Sequence, residues 1–123
     1  MNTLFLLGGL NMLISVALGA FGAHALKNRL TPDMLKVYQT GIQYHMAHAL
    51  GLILIGIVSG LPSVNGPLMI TAGWLIVAGI ILFSGSLYAL SLSGIKKLGA
   101  ITPIGGLAFL AGWLVFIIAE FGG

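Results

Sequence analysis

The sequence predicts an all-α integral membrane protein, folded as a bundle of four helices that cross the lipid bilayer. Apolar residues make up 59% of its 123 residues and charged residues only 6%, whereas soluble domains have about 45–50% and about 25%. Five basic and two acidic side chains cannot cover a soluble fold of this size with a polar surface. Lipid must therefore surround most of the chain.

Four apolar segments are long enough to cross the membrane. A helix needs about 20 residues to span about 30 Å of hydrocarbon, and its backbone groups are then bonded internally. A charged side chain at the centre of such a helix costs about 2.5–3.5 kcal/mol, so the charges mark the boundaries. The predicted spans are residues 4–26, 41–61, 68–92 and 98–119, within one transmembrane domain covering residues 1–123.

The first connection, residues 27–43, is the only sizeable polar segment. Within it, Thr31-Pro32-Asp33 has the features of a helix start, because Thr can cap, Pro suits the first helical position and Asp favours the positive helix end. The sequence allows two arrangements. A short amphipathic helix lies on the membrane surface and bends near Gly41, or the helix continues directly into the second span.

The basic residues are all in two connections on one side of the predicted bundle. Lys27, Arg29 and Lys36 belong to the first connection, and Lys96 and Lys97 to the third. Basic residues prefer the cytoplasmic side of a membrane. The sequence therefore predicts that both termini lie outside the cytoplasm.

Small residues in each span predict close packing, because helices in lipid associate through close backbone contact and hydrogen bonds. Asn11, in the middle of the first span, is expected to form a hydrogen bond to another helix. Such a bond contributes about 1 kcal/mol to the stability of the bundle. The predicted packing positions are Ser15, Gly19, Gly22 and Ala23 in the first span, Gly56 and Gly60 in the second, Gly85 and Ala89 in the third, and Gly105, Gly106 and Gly112 in the fourth.

Three histidines form the candidate site for a ligand or a proton. His24 ends the first span, and His45 and His48 begin the second on the same side, three residues apart and thus on one helix face. We expect all three to converge at one depth under the cytoplasmic surface. Other polar residues assigned to this layer are Lys27, Gln43 and Tyr44.

Three interpretations of this layer remain open. The side chains hold helix ends and lipid headgroups in place, or they bind or conduct a small polar species or a proton, since ionisable groups near a membrane interior are functional candidates. A metal or haem site is the third, because imidazole is a common ligand. The chain has no cysteine, which excludes thiolate sites, and we predict no catalytic residue, metal or cofactor.

Three stretches resemble the YgdD/YwdK-like family of small, uncharacterised multi-pass membrane proteins. They are Gly19-Ala20-Phe21-Gly22-Ala23-His24-Ala25-Leu26, then Tyr44-His45-Met46-Ala47-His48-Ala49-Leu50, and finally Thr102-Pro103-Ile104-Gly105-Gly106-Leu107 with Gly112-Trp113. The resemblance implies a four-span bundle in the bacterial cytoplasmic membrane with no established activity. It matches histidines at His24 and His48, and more loosely at His45.

The sequence favours a non-enzymatic membrane protein with a structural, envelope-support or partner-binding role. The alternative is a transporter, channel or small-ligand-binding protein that uses the histidine layer. Membrane lipids are the expected surroundings, and a homo-oligomer or another membrane protein is a possible partner. Nucleic acid is not expected, because five basic residues are too few and too scattered for its footprint.

Overall fold

The computed structural model describes residues 3–121, and in this range it has four helices long and apolar enough to cross a membrane. The predicted all-α membrane fold is confirmed. The helices run over Thr3–Leu26, Pro32–Val58, Gly66–Ser93 and Lys96–Ala119. Their regular α-helical parts are α1 (Thr3–Phe21), α2 (Pro32–Val58), α3 (Gly66–Gly79), α4 (Gly85–Ser93) and α5 (Thr102–Ala119).

Helix α2 begins where the sequence predicts a helix start and continues unbroken into the second span. The Thr31 hydroxyl accepts a hydrogen bond from the Met34 amide at 3.2 Å, and Pro32 occupies the first turn. The helix passes through Gly41 without a bend into a separate element. Of the two arrangements, the structure therefore has the continuous extension. At 27 residues, α2 is about 40 Å long, so its first turns extend beyond the hydrocarbon.

The third span is interrupted by a π-helical turn at Ile80–Ser84, between α3 and α4. A π turn changes the direction of the side chains that follow it and often lies at a functional position. Here the Ser84 hydroxyl donates to the Gly41 carbonyl at 2.8 Å. This bond joins the third span to α2, and no feature of the sequence predicts it.

The start of α3 and the end of α4 also have recognisable caps. The Asn65 side chain accepts from the Leu68 amide at 3.1 Å and so caps α3. The Asn65 amide donates to the Ala119 carbonyl at 2.9 Å, which ties this turn to the end of α5. Gly94 closes α4 with φ 74°, a left-handed conformation that glycine adopts without a steric penalty.

Helix α2 lies in the centre of the bundle. It packs against α1 on one side and against α3 and α4 on the other, while α5 packs along α3 and the π turn. Sequential neighbours are antiparallel, so the first and third connections share one end of the bundle. The buried apolar core consists of Leu4, Leu52, Ile55, Val64, Met69, Ile76, Ile80, Phe109 and Ala119.

The closest helix contact is that of Gly105 with the π turn. A Cβ at Gly105 would overlap the backbone nitrogen of Phe83 and lie 2.6 Å from the carbonyl carbon of Leu82. Further along the same interface, a Cβ at Gly112 would lie 2.8 Å from Ile76 Cδ1. Real Cβ atoms do not approach backbone so closely, so α5 can pack on the π turn only with glycine at position 105, whereas at position 112 the obstacle is the flexible end of the Ile76 side chain.

Of the nine other predicted packing positions, five are packed closely or loosely inside the bundle. Gly22 lies against the Tyr38 ring and Gly56 against the Phe5 ring, and Ser15 is fully buried. Gly19 and Gly106 make looser contacts. A Cβ added at Gly19 would lie 3.6 Å from Ile42, and one added at Gly106 would lie 3.9 Å from the Phe83 ring.

Four of the predicted packing positions need correction. Gly60 and Gly85 have only a nearby carbonyl of their own span, of Ile57 and Ile80, within 4 Å of an added Cβ. Ala23 and Ala89 are exposed on the bundle surface. Four-residue spacing alone does not show which face of a helix meets a neighbour, and Gly60 lies in the turn that follows α2.

Candidate functional site

His45 is buried in α2 and joins three helices. Its Nδ1 lies 2.9 Å from the Tyr88 hydroxyl in α4, and its Nε2 lies 2.9 Å from Oδ1 of Asn11 in α1. The side chain is 4% exposed. The predicted bond of Asn11 across helices is confirmed, and its partner is this histidine.

The hydrogen bonds around His45 assign its tautomer. Asn11 donates from Nδ2 to the Leu7 carbonyl at 2.8 Å, so its Oδ1 faces the imidazole and can only accept. Nε2 of His45 therefore carries the proton, and Nδ1 accepts from the Tyr88 hydroxyl. In the neutral ring, both nitrogens are therefore used.

His48, one turn further along α2, holds α5. Its Nδ1 lies 2.8 Å from the Tyr44 carbonyl, and Trp113 donates its indole N–H to Nε2 at 3.0 Å. A carbonyl only accepts and an indole N–H only donates. The proton of His48 is therefore on Nδ1, the opposite tautomer to that of His45, and this ring too has no free nitrogen.

Aromatic rings surround His48. Its imidazole stacks on Phe109 with ring centroids 3.7 Å apart and planes 15° apart. Tyr44 packs on Phe83 with centroids 4.5 Å apart, and Phe83 in turn contacts Phe109. These rings form the walls of a groove of about 530 Å³ between α2, the π turn and α5, lined by Tyr44, His48, Phe83, Pro103, Gly106, Leu107, Phe109, Leu110 and Trp113.

A smaller groove of about 260 Å³ lies between α1 and α2, near the end that carries the basic residues. Gln39 and Gln43 line it, together with Tyr38. The Tyr38 hydroxyl donates to the Leu18 carbonyl at 2.5 Å. Throughout residues 3–121, every buried side-chain nitrogen or oxygen has a hydrogen-bond partner.

The structure does not bring His24 together with the other two histidines. His24 is exposed in a second π-helical turn, Gly22–Leu26, which ends the first span. Asn11, which bonds His45, fixes the depth of the His45 ring. His24 is 13 residues further along this helix, roughly 20 Å at 1.5 Å per residue. The expected convergence at one depth is therefore wrong, because His45 and His48 lie deeper in the bundle.

The other candidate residues are also dispersed. Lys27 is exposed in the first connection, and Gln43 is exposed beside the smaller groove. Tyr44 is 44% exposed and lines the aromatic groove beside His48. Of the sequence-predicted set, only His48 and Tyr44 line a common cavity.

The sequence pattern does not assign three further residues to the site. Tyr88 and Trp113 hold the two histidines from positions 43 and 65 residues away, and Phe109 stacks on one of them. Trp113 appears in the motif that follows Thr102–Leu107, but nothing in the motif states its partner. Such pairs become visible only when the helices are packed.

The described part of the chain contains no group of three His, Cys, Asp or Glu residues that could hold a metal ion. For the buried His45 and His48, the hydrogen bonds give a physical reason against a metal site. A nitrogen that already donates or accepts a hydrogen bond within the fold offers no lone pair to a metal. His45 and His48 connect helices through hydrogen bonds.

Comparison with known proteins finds relatives over nearly the whole chain. Residues 18–106 match a family described as "Protein of unknown function (DUF423)". The UPF0382 membrane protein YwdK of Bacillus subtilis is 50% identical over 123 residues, which cover 97% of this chain and 96% of that protein. The UPF0382 membrane protein SH2409 of Staphylococcus haemolyticus is 50% identical over 121 residues, covering 98% and 97%. No solved structure matches the chain.

Proposed function

We propose that this chain, which belongs to the DUF423 family of membrane proteins, is a non-enzymatic component of the membrane. The proposal rests on the geometry of the bundle. In this proposal its helices give structural support to the envelope or hold a partner in the plane of the bilayer. The buried polar side chains keep the helices in register and take no part in a reaction.

One observation carries the proposal. Each of the two buried histidines uses both ring nitrogens within the fold, His45 with Asn11 and Tyr88, and His48 with Tyr44 and Trp113. A metal ligand needs a nitrogen lone pair that is not already in a hydrogen bond, and a general base must lie within hydrogen-bond reach of the group whose proton it takes. These side chains instead have the arrangement of fixed links between helices.

The alternative of transport through the histidines makes a different prediction for His48→Ala. If the histidine is a structural link, removing it leaves the Trp113 N–H unpaired and a hole beside Phe109. We expect a loss of about 2–4 kcal/mol of stability. Thermal melting of the purified protein in detergent measures it.

The same variant is then reconstituted into liposomes with a pH-sensitive dye inside, next to the wild type and His24→Ala. We expect none of the three to move protons faster than empty liposomes do, and His24→Ala to melt like the wild type. Proton flux that the wild type shows and His48→Ala lacks, with melting unchanged, would establish transport in place of the structural role.

We further place the bundle in the bacterial cytoplasmic membrane, with both termini outside. The charge distribution supports this orientation, because all five basic residues lie at the end formed by the first and third connections. The chain lacks cysteine, so single cysteines report topology cleanly. In intact cells, a membrane-impermeant maleimide should label Ser63→Cys and spare Lys97→Cys until the cells are opened. Labelling in the reverse order would invert the orientation.

A further inference from the structure

The aromatic groove runs along the bundle for the depth of one lipid leaflet. Pro103, in the first turn of α5, lies at the end of the groove nearest the membrane surface, and Trp113 lies ten residues deeper in the membrane. Ten helical residues extend about 15 Å, half of the roughly 30 Å of hydrocarbon. Its volume of about 530 Å³ is within the range of about 300–1,000 Å³ typical of ligand pockets.

The wall of this groove suits hydrocarbon. Phe83, Leu107 and Leu110 present carbon only. The polar atoms of His48 and Trp113 form hydrogen bonds with each other and with the backbone. They therefore need no hydrogen bond from water. A flexible hydrocarbon chain fills such a groove without leaving a polar group unpaired.

Basic residues lie beyond the end of the groove at Pro103. Tyr44 lines the groove, and its hydroxyl has no hydrogen-bond partner among the described residues. Lys96 and Lys97 are exposed in the turn that leads directly into Pro103. The opposite end of the bundle has Glu120 as its one charged side chain in the described range.

We propose that this groove binds one acyl chain of an anionic phospholipid from the leaflet at the basic end. The lysine turn attracts the phosphate, since each basic residue near an anionic surface contributes to binding, and Tyr44 donates a hydrogen bond to the glycerol ester or phosphate. The charge at the mouth and the one-leaflet length select a lipid over a second copy of the chain, whose basic ends would repel each other. This binding does not depend on the structural role proposed above.

Gly106→Leu tests the groove, with Gly9→Leu as its matched control. Gly106 lines the groove, and a Cβ there meets nothing closer than 3.9 Å, so a leucine enters the groove and competes with the acyl chain. Gly9 is exposed on α1, with nothing within 4 Å of an added Cβ. The full chain is purified in detergent, and bound lipid is counted by native mass spectrometry with phosphatidylglycerol and phosphatidylcholine of identical chains.

We expect the wild type and Gly9→Leu to retain one phosphatidylglycerol about tenfold more tightly than phosphatidylcholine. Gly106→Leu should lose about tenfold in affinity for both lipids. The surface variant Lys96→Gln with Lys97→Gln leaves the packed helices untouched and should remove only the preference for the anionic lipid.

Two results would overturn the proposal. One is equal lipid binding by Gly106→Leu and Gly9→Leu when both melt like the wild type. The other is a wild-type dimer or hetero-complex that Gly106→Leu dissociates, because the occupant of the groove would then be a second copy or a partner helix. Unchanged lipid preference in the double lysine variant would remove the headgroup part of the proposal.

Discussion

Replacing Gly105 by alanine should unfold the bundle under conditions in which the Gly106→Ala variant stays folded. An alanine Cβ at position 105 would overlap the backbone of Phe83 and lie 2.7 Å from its Cα. The obstacle is backbone, which cannot rotate away as a side chain can, so α5 must separate from the π turn. We expect a loss of about 3 kcal/mol or more, the upper range for overpacking.

The neighbouring glycine is the internal control. A Cβ at Gly106 has only the Phe83 ring within 4 Å, at 3.9 Å, and alanine favours a helix over glycine by about 1 kcal/mol. Melting curves in detergent, followed by circular dichroism, compare the two variants. Similar melting temperatures for both would show that α5 does not pack on the π turn as described.

Replacing His45 by leucine should have the second largest effect. Leucine keeps an apolar side chain of similar size but leaves Oδ1 of Asn11 and the Tyr88 hydroxyl without partners inside the bundle. Each buried polar group left unpaired costs about 1–3 kcal/mol. We expect a total loss of about 2–6 kcal/mol, visible as a lower melting temperature and looser packing of α2 against α1 and α4.

His24→Leu carries the same chemical change at an exposed position. It should alter the melting temperature little, because substitutions at exposed positions are usually within about 0.5 kcal/mol. If His24→Leu destabilised the protein as much as His45→Leu, the effect would come from losing a histidine anywhere in the chain. The network of Asn11, His45 and Tyr88 would then have no special role.

The helices themselves could be predicted from the sequence, because lipid penalises charge so strongly that charged residues mark the boundaries. The cap at Thr31 also followed from residue types. The course of the helix through Gly41 did not, since both a surface helix and a straight extension suit a polar, amphipathic segment. The π turn at Ile80–Ser84 has no signal in the residue types, and its contact with Gly105 of α5 exists only in the packed bundle.

The site was only partly predictable, for a related reason. Sequence marked His48 and Tyr44 as polar residues at the start of a span, and Asn11 as a residue that bonds across helices. The sequence did not show that His24 lies at a different depth from His45 and His48, because residue order gives the side of the membrane but not the depth. It also missed Tyr88 and Trp113, since partners 43 and 65 residues distant meet only after the helices pack.

The tautomers of the two buried histidines test the central claim most directly, that these rings are fixed links in a non-enzymatic bundle. Nitrogen-15 solid-state NMR of the protein in lipid bilayers at neutral pH distinguishes the two ring nitrogens of each histidine. The hydrogen bonds predict a proton on Nε2 of His45 and on Nδ1 of His48, with both rings neutral. A charged ring, or a mixture of tautomers at either position, would show nitrogens free to exchange protons and would contradict the claim.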